Sequence, residues 1–159
     1  MAVSPILVSG LANLEVTLEV DGFPITYTPV RYPFFGVNRA VSGVGYNVAK
    51  ALATLGDSVR FLSLVGRDPA GTLVVEALRS VGIAEDFVVD EMDQTPHSVI
   101  LYDQGGKRQI NVDLKDVQEQ VYPEELADRA LEGCSVAVLC NVGFSRPLLA
   151  KARDRGTLI

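Results

Sequence analysis

Two stretches of helical periodicity, separated by one mostly apolar run, limit what this chain can become. Val48, Ala51, Leu52 and Leu55 recur at the i, i+3, i+4, i+7 spacing of one helix face, and Gly56 supplies a stop. Val74, Ala77, Leu78 and Val81 repeat the stripe, and Gly82 ends it. Between them Val59 to Val65 is mostly apolar, as in a strand buried on both faces. Asp68 offers an N-cap with Pro69 at the first helical position. This strand–helix alternation predicts an α/β layer built on a mainly parallel sheet.

The flanking sequence fits around that layer. Ile6-Leu7-Val8, ending at Ser9-Gly10, reads as a buried strand, and Val16, Leu18 and Val20 alternate with polar residues as a half-exposed one. Gly22, Pro24, Pro29 and Pro33 then interrupt any helical period, so Glu15 to about Arg39 is expected to form strands and turns of a small sheet. Ser98 to Tyr102 and Gln109 to Val112 flank Asp103-Gln104-Gly105-Gly106-Lys107-Arg108, a hairpin signal with a longer loop. Pro123 opens a further helix with Glu124 and Glu125 near its positive end, and Val136 to Cys140 reads as a buried strand. Ser145 and Pro147 open a last helix, Gly156 stops it, and Thr157-Leu158-Ile159 begins another strand. A doubly wound sheet does not usually stop there, so the natural chain is expected to continue past Ile159.

Composition narrows the function classes. With 48% hydrophobic and 21% charged residues, 159 residues suit one globular domain rather than disorder. A net charge of −6 argues against a general nucleic-acid binder, which needs a basic surface to neutralise phosphates. No apolar run approaches the roughly 18 residues of a membrane span. The opening Met1-Ala2-Val3-Ser4 lacks a secretory n-region, so a cytoplasmic location is expected. Cys134 and Cys140 flank one short strand, too far apart along it to bridge, and read as free thiols. Two cysteines and one histidine make a metal site a poor expectation.

Ligands of open α/β sheets bind at the carboxyl ends of strands. Asn13 and Glu15 lie beyond the first strand, Ser42-Gly43-Val44-Gly45-Tyr46-Asn47 opens the first clear helix, and Asn141 and Gly143 follow Val136 to Cys140. Glycines permit close backbone approach, asparagine both donates and accepts, and glutamate accepts, a set suited to a polyhydroxylated ligand. Turn asparagines on a structural glycine bend are the alternative. Gly43-x-Gly45 also invites a dinucleotide reading, but Val48 stands where that fingerprint needs Gly or Ala, and Phe34 to Arg39 is a poor preceding strand. No Walker-type phosphate loop occurs. His97 reads as a rim or loop residue, Arg67 as a contact at the surface or with the small sheet (the lid of the resemblance below), and Tyr27, Tyr32, Phe34, Phe35 and Tyr46 as packing between that sheet and the body.

Three segments together resemble the ribokinase-like (PfkB-type) carbohydrate kinases. Ser42 to Gly56 resembles the family's Gly-Gly-x-Gly-x-Asn-x-Ala signature with its helix ending Leu-Gly. Val65-Gly66-Arg67-Asp68-Pro69-Ala70-Gly71 resembles Val-Gly-x-Asp-x-x-Gly, and Asn13-Leu14-Glu15 resembles the Asn-x-Asp near the first strand. Order, spacing and hairpins agree from about Ile6 to Gly156. The resemblance implies a Rossmann-like ribokinase fold, with residues 1–159 as the N-terminal part of a single α/β domain truncated at its C-terminal side. Segments of about 15–40 and 98–113 would form a small β-sheet lid. Asn13, Glu15, Gly43 and Asn47 would bind hydroxyls of a sugar or nucleoside, and Gly45 would shape the loop.

The resemblance further implies ATP and Mg²⁺ for the parent enzyme, held by residues outside this chain, and, as in several relatives, a homodimer contact through the lid. Glu15 replaces the family's Asp, Ser42 its first Gly, and Val44 the Lys of ribokinase itself. The Gly-Ala-Gly-Asp motif of the anion hole and catalytic base occurs nowhere, so no catalytic residue is assigned to this chain. The leading expectation is an ATP-dependent kinase acting on a sugar or nucleoside hydroxyl, with this chain supplying the substrate side and lid. A non-catalytic carbohydrate- or nucleoside-binding half-domain is the alternative, and a dinucleotide enzyme ranks third.

Overall fold

The computed structural model describes residues 4–159; Met1-Ala2-Val3, which head the stretch read as lacking a signal n-region, lie outside them. Strands β1 (Ile6–Ser9), β4 (Val59–Gly66), β5 (Val88–Met92) and β8 (Val136–Leu139) form one wholly parallel sheet in the order β5-β4-β1-β8. Such connections need crossovers, and helices α1 (Val44–Thr54) and α2 (Pro69–Ser80) fall where periodicity places them, α3 (Glu124–Leu131) and α4 (Arg146–Asp154) where their proline start signals do. The chain first winds from β1 outward through β4 to β5, then returns to put β8 on the other side of β1. Strand order therefore reverses at the carboxyl end of β1.

Both faces of this sheet are covered, which explains the mostly apolar runs. On one face Val8, Phe61 and Val65 meet Tyr46 and Ala49 of α1 and Val74 and Leu78 of α2. On the other, Leu7, Leu62 and Leu64 meet Ala127, Ala130 and Leu131 of α3 with Leu148 and Ala152 of α4. Asp68 caps α2 as expected: its carboxylate accepts from the Gly71 N–H at 2.8 Å, with Pro69 at the helix start. The expectation at Thr157-Leu158-Ile159 appears as a single parallel bridge from Leu158 to Val136.

One buried polar side chain of the sheet lacks a partner. Ser63 of β4 is fully buried, and its hydroxyl finds no hydrogen-bond partner among the described residues. An unpaired buried hydroxyl costs its desolvation with no return, so Ser63→Ala is expected to stabilise the protein by about 1 kcal/mol. Urea unfolding measures this, and a destabilised variant would mean that the hydroxyl does find a partner in solution.

A second sheet carries β2 (Asn13–Glu19), β3 (Val37–Ser42), β6 (His97–Tyr102) and β7 (Arg108–Asp113) in the order β3-β2-β6-β7. β3 and β7 pair antiparallel to their neighbours, whereas β2 and β6 run parallel, Glu15 standing opposite Ser98. The two strand pairs come from the two excursions named in the sequence, but β2 begins at Asn13 and β3 ends at Ser42. The sheet thus grows directly from the end of β1 and runs into the glycine loop.

The structure departs from the sequence reading in places. The stretch read as a poor strand before the glycine loop contains the start of β3, which pairs antiparallel with β2 from Val37 to Ser42. Its alternation is blurred because every residue from Val37 to Ala40 is exposed. β5 was unmarked because Asp90 and Glu91 interrupt its apolar residues, as an edge strand allows. Arg67, read as a surface or lid contact, is a surface residue: it is exposed and donates from Nε to the Asp90 carbonyl at 2.7 Å on the edge strand β5. The aromatic cluster also divides: Tyr46 is buried, but Tyr27, Tyr32, Phe34 and Phe35 are at least 75% exposed. These four lie between β2 and β3, beyond the end of the strand pair farthest from the glycine loop, and therefore do not pack lid against body.

Candidate functional site

The junction between β1, the second sheet and α1 is built around backbone proximity. A Cβ at Gly45 would stand 2.5 Å from the Gly10 carbonyl carbon, and one at Gly10 would stand 2.8 Å from the Gly45 Cα. Only two glycines let the end of β1 touch the first turn of α1. Gly43 has φ +110°, and a Cβ there would run into the Leu11 carbonyl oxygen while lying 3.0 Å from Asn13 Oδ1. The Tyr46 N–H donates to the Leu11 carbonyl at 3.2 Å, fastening the helix start to the segment between β1 and β2.

The residues singled out from sequence meet around this junction. Asn13, the first residue of β2, stands opposite Ser42, the last of β3. Asn47, on the first turns of α1, donates from Nδ2 to Ser42 Oγ at 3.4 Å. Glu15 follows Asn13 by two residues and so projects from the same sheet face, half-buried. Asn13 is 4% exposed and donates from Nδ2 to Ser98 Oγ at 2.8 Å, a bond linking β2 to β6. Its Oδ1 receives no hydrogen bond among the described residues and faces the glycine loop. Asn13, Glu15, Gly43 and Asn47 are thus brought together, with Gly45 behind them. Ser42 and Ser98 are the partners that sequence reasoning missed; a lone serine in a strand carries no signal that it will meet an asparagine 85 residues away.

The second glycine motif builds a different structure beside the first. Both oxygens of the Asp68 carboxylate are used: Oδ1 accepts from Gly71 N and from Thr95 Oγ1 at 2.7 Å, and Oδ2 accepts from Thr95 N at 3.0 Å. Thr95 Oγ1 in turn accepts from the Gly66 N–H at 2.9 Å. Burial pushes the Asp68 carboxyl upward, but the Thr95 and Gly71 hydrogen bonds outweigh it and hold the group below its ordinary value. A Cβ on Gly66 would strike the backbone of Gln94 and Thr95, and one on Gly71 the Gly66 carbonyl oxygen. The motif seats the chain that enters β6. His97, read as a rim or loop residue, is the first residue of β6, its Nδ1 2.8 Å from the Thr95 carbonyl.

Other candidates have structural work. Asn141 is exposed, and Gly143 packs against Gln118, whose Oε1 accepts from the Gly143 N–H at 2.9 Å. Cys134 and Cys140 are free thiols. No group of three or more His, Cys, Asp or Glu converges to hold a metal ion among the described residues, and none of their helices is long and apolar enough to cross a membrane.

A parallel sheet with its strand order reversing at β1, polar groups gathered at that reversal and a second sheet rising beside them define the ribokinase fold. The chain matches the pfkB family carbohydrate kinase model over residues 4–145 and belongs to that family. It is 31% identical over 64 residues to 2-dehydro-3-deoxygluconokinase of Bacillus subtilis (strain 168), a match covering 40% of this chain and 20% of that protein. Among solved structures it resembles a microbiome-derived acarbose kinase, with TM-score 0.87, 21% identity, and coverage of 98% of this chain and 51% of that one. It also resembles Arabidopsis thaliana ribokinase complexed with ribose and ATP, with TM-score 0.79, 20% identity, and coverage of 99% and 52%. A Burkholderia thailandensis nucleoside kinase in complex with inosine gives TM-score 0.76 at 16% identity, covering 96% and 48%. The chain spans about half the length of these solved structures, 51% of the first.

Proposed function

We propose that the protein transfers phosphate from ATP to a hydroxyl of a sugar or nucleoside, and that this chain supplies the acceptor side and lid of a single domain. The observation carrying this reading is the convergence of Asn13, Glu15, Gly43 and Asn47 where strand order reverses, the place where open α/β sheets take ligands. An amide offers both donor and acceptor and a carboxylate only accepts, so these groups suit the mixed capacity of adjacent hydroxyls. The Gly10–Gly45 contact fixes α1, and with it Asn47, against β1. Gly43 leaves its loop without a side chain on the side facing Asn13.

In this reading the second sheet is the lid. It carries Glu15 and Asn13 at its base, so closing it brings those groups onto the acceptor and excludes water. ATP would supply the phosphoryl group and Mg²⁺ the charge neutralisation. In this reading Mg²⁺ is held by residues outside this chain; among the described residues no group of three or more His, Cys, Asp or Glu converges. Asp68 and Asp103 are each committed to structural hydrogen bonds and do not suit the role of catalytic base. Asp68 is bound through both oxygens, and Asp103 Oδ1 caps its hairpin by accepting from the Lys107 N–H at 2.9 Å. The lid's free edges, β3 and β7, and its exposed Tyr27, Tyr32, Phe34 and Phe35 support a homodimer contact there. A cytoplasmic location belongs to the same reading.

In the full-length protein, Asn47→Ala is expected to weaken acceptor affinity about tenfold, the worth of one net hydrogen bond. Its Tm should stay at the wild-type value, because the Asn47–Ser42 bond is long and exposed. Titration calorimetry with the sugar or nucleoside acceptor measures the first, and unchanged affinity removes Asn47 from the site. A thermal-shift screen tests the class: stabilisation by NAD and not by sugars or nucleosides would overturn it.

A further inference from the structure

We propose that Ser98 is a positioning residue for the acceptor, acting through Asn13; this rests on the kinase reading above. Ser98 lies on β6 directly opposite Glu15, and paired residues of neighbouring strands project from the same face. From there its hydroxyl reaches diagonally to the Asn13 amide at 2.8 Å. It therefore stands beside both polar side chains that β2 offers to the ligand. Ser98 is 5% exposed and Asn13 4%, so water competes little for this bond.

The chemistry follows from what an amide needs. Asn13 presents two ends, and a buried side chain with neither end held would turn between them. The serine hydroxyl binds one end and leaves the other toward the glycine loop, 3.0 Å from where a Gly43 Cβ would lie. The bond also crosses from β2 to β6. The amide is thus oriented by the second excursion of the lid, although it belongs to the first. In this role Ser98 acts on the acceptor through Asn13, fixing the direction in which the amide meets a ligand hydroxyl.

The test compares wild type, Ser98→Ala, Ser98→Thr, Asn13→Ala and the Asn13→Ala/Ser98→Ala double variant in the full-length enzyme, with KM and kcat measured for acceptor and for ATP. Ser98→Ala should raise acceptor KM about tenfold while leaving the ATP KM unchanged. Ser98→Thr, which keeps the hydroxyl on a strand-compatible side chain, should restore acceptor KM to within about threefold of wild type. On the Asn13→Ala background, Ser98→Ala should add nothing, because its only route to the acceptor is gone. Unchanged acceptor KM in Ser98→Ala, additive effects of the two alanines, or equal losses for acceptor and ATP would each overturn the positioning role while the kinase reading stands. A wild-type enzyme that binds and phosphorylates no sugar or nucleoside overturns the kinase reading, and the role of Ser98 with it. Should Ser98→Ala fail to fold, the Ser98→Thr variant decides: a folded threonine variant with acceptor KM raised as far as in Asn13→Ala removes the proposal, and one near wild type supports it.

Discussion

Gly43→Ala is expected to destabilise the protein by about 4 kcal/mol, from backbone strain and overpacking acting together. The strain arises because φ is +110° in an otherwise extended backbone, a region open essentially to glycine alone. The overpacking arises because the new methyl would enter the Leu11 carbonyl oxygen and press on Ala12 Cα at 3.0 Å. Neither neighbour can yield cheaply. The Leu11 carbonyl accepts the Tyr46 N–H, and Ala12 is fully buried. Against a typical total stability of about 5–15 kcal/mol, such a loss should leave the variant marginally folded. Urea unfolding followed by circular dichroism would show a midpoint far below wild type with a similar slope. A variant within about 1 kcal/mol of wild type would show that the loop relaxes freely, contrary to the packing described. The site should suffer too, since any shift that relieves the clash moves Asn47 relative to Asn13.

What was legible in the sequence had short-range causes. The Asp68 cap, the helix stripes and the 98–113 hairpin each depend on residues a few positions apart, and all appear. The glycine–asparagine loop was also legible, because the need for Gly43 and Gly45 is written into consecutive residues. The unread features depend on distant partners. Nothing around Ser98 announces Asn13, and nothing around Asp68 announces that its second oxygen will hold Thr95. β5 and β3 were obscured for another reason: an edge strand tolerates charge, and a strand exposed on both sides loses its alternation. The aromatics of residues 27–35 mislead in the opposite sense. Large apolar side chains normally predict burial, but here they stand outside both cores.

The other large effect is expected at Asp68, and its pH dependence distinguishes it from an ordinary helix cap. At neutral pH Asp68→Ala should cost about 3 kcal/mol, since it removes a charged acceptor from Gly71 N, Thr95 N and Thr95 Oγ1 at once. A cap alone would cost about 1 kcal/mol. The folded-state carboxyl is held below its ordinary value, so its contribution is fully present above the unfolded carboxyl pKa of about 3.9. That contribution declines as pH falls through the lower folded value, because protonation removes the charge that the three donors share. Wild type should therefore lose stability relative to Asp68→Ala as pH drops from 5 toward about 2, and the gap between them should narrow. Asp68→Asn keeps an acceptor without the charge, so its neutral-pH loss should be about half that of the alanine variant and should change little with acid. Equilibrium unfolding of the three proteins across this range measures both quantities. A gap that stays constant with pH would mean that the carboxylate charge contributes nothing. A gap of only about 1 kcal/mol at pH 7 would reduce Asp68 to its cap and leave the entry to β6 held by other contacts.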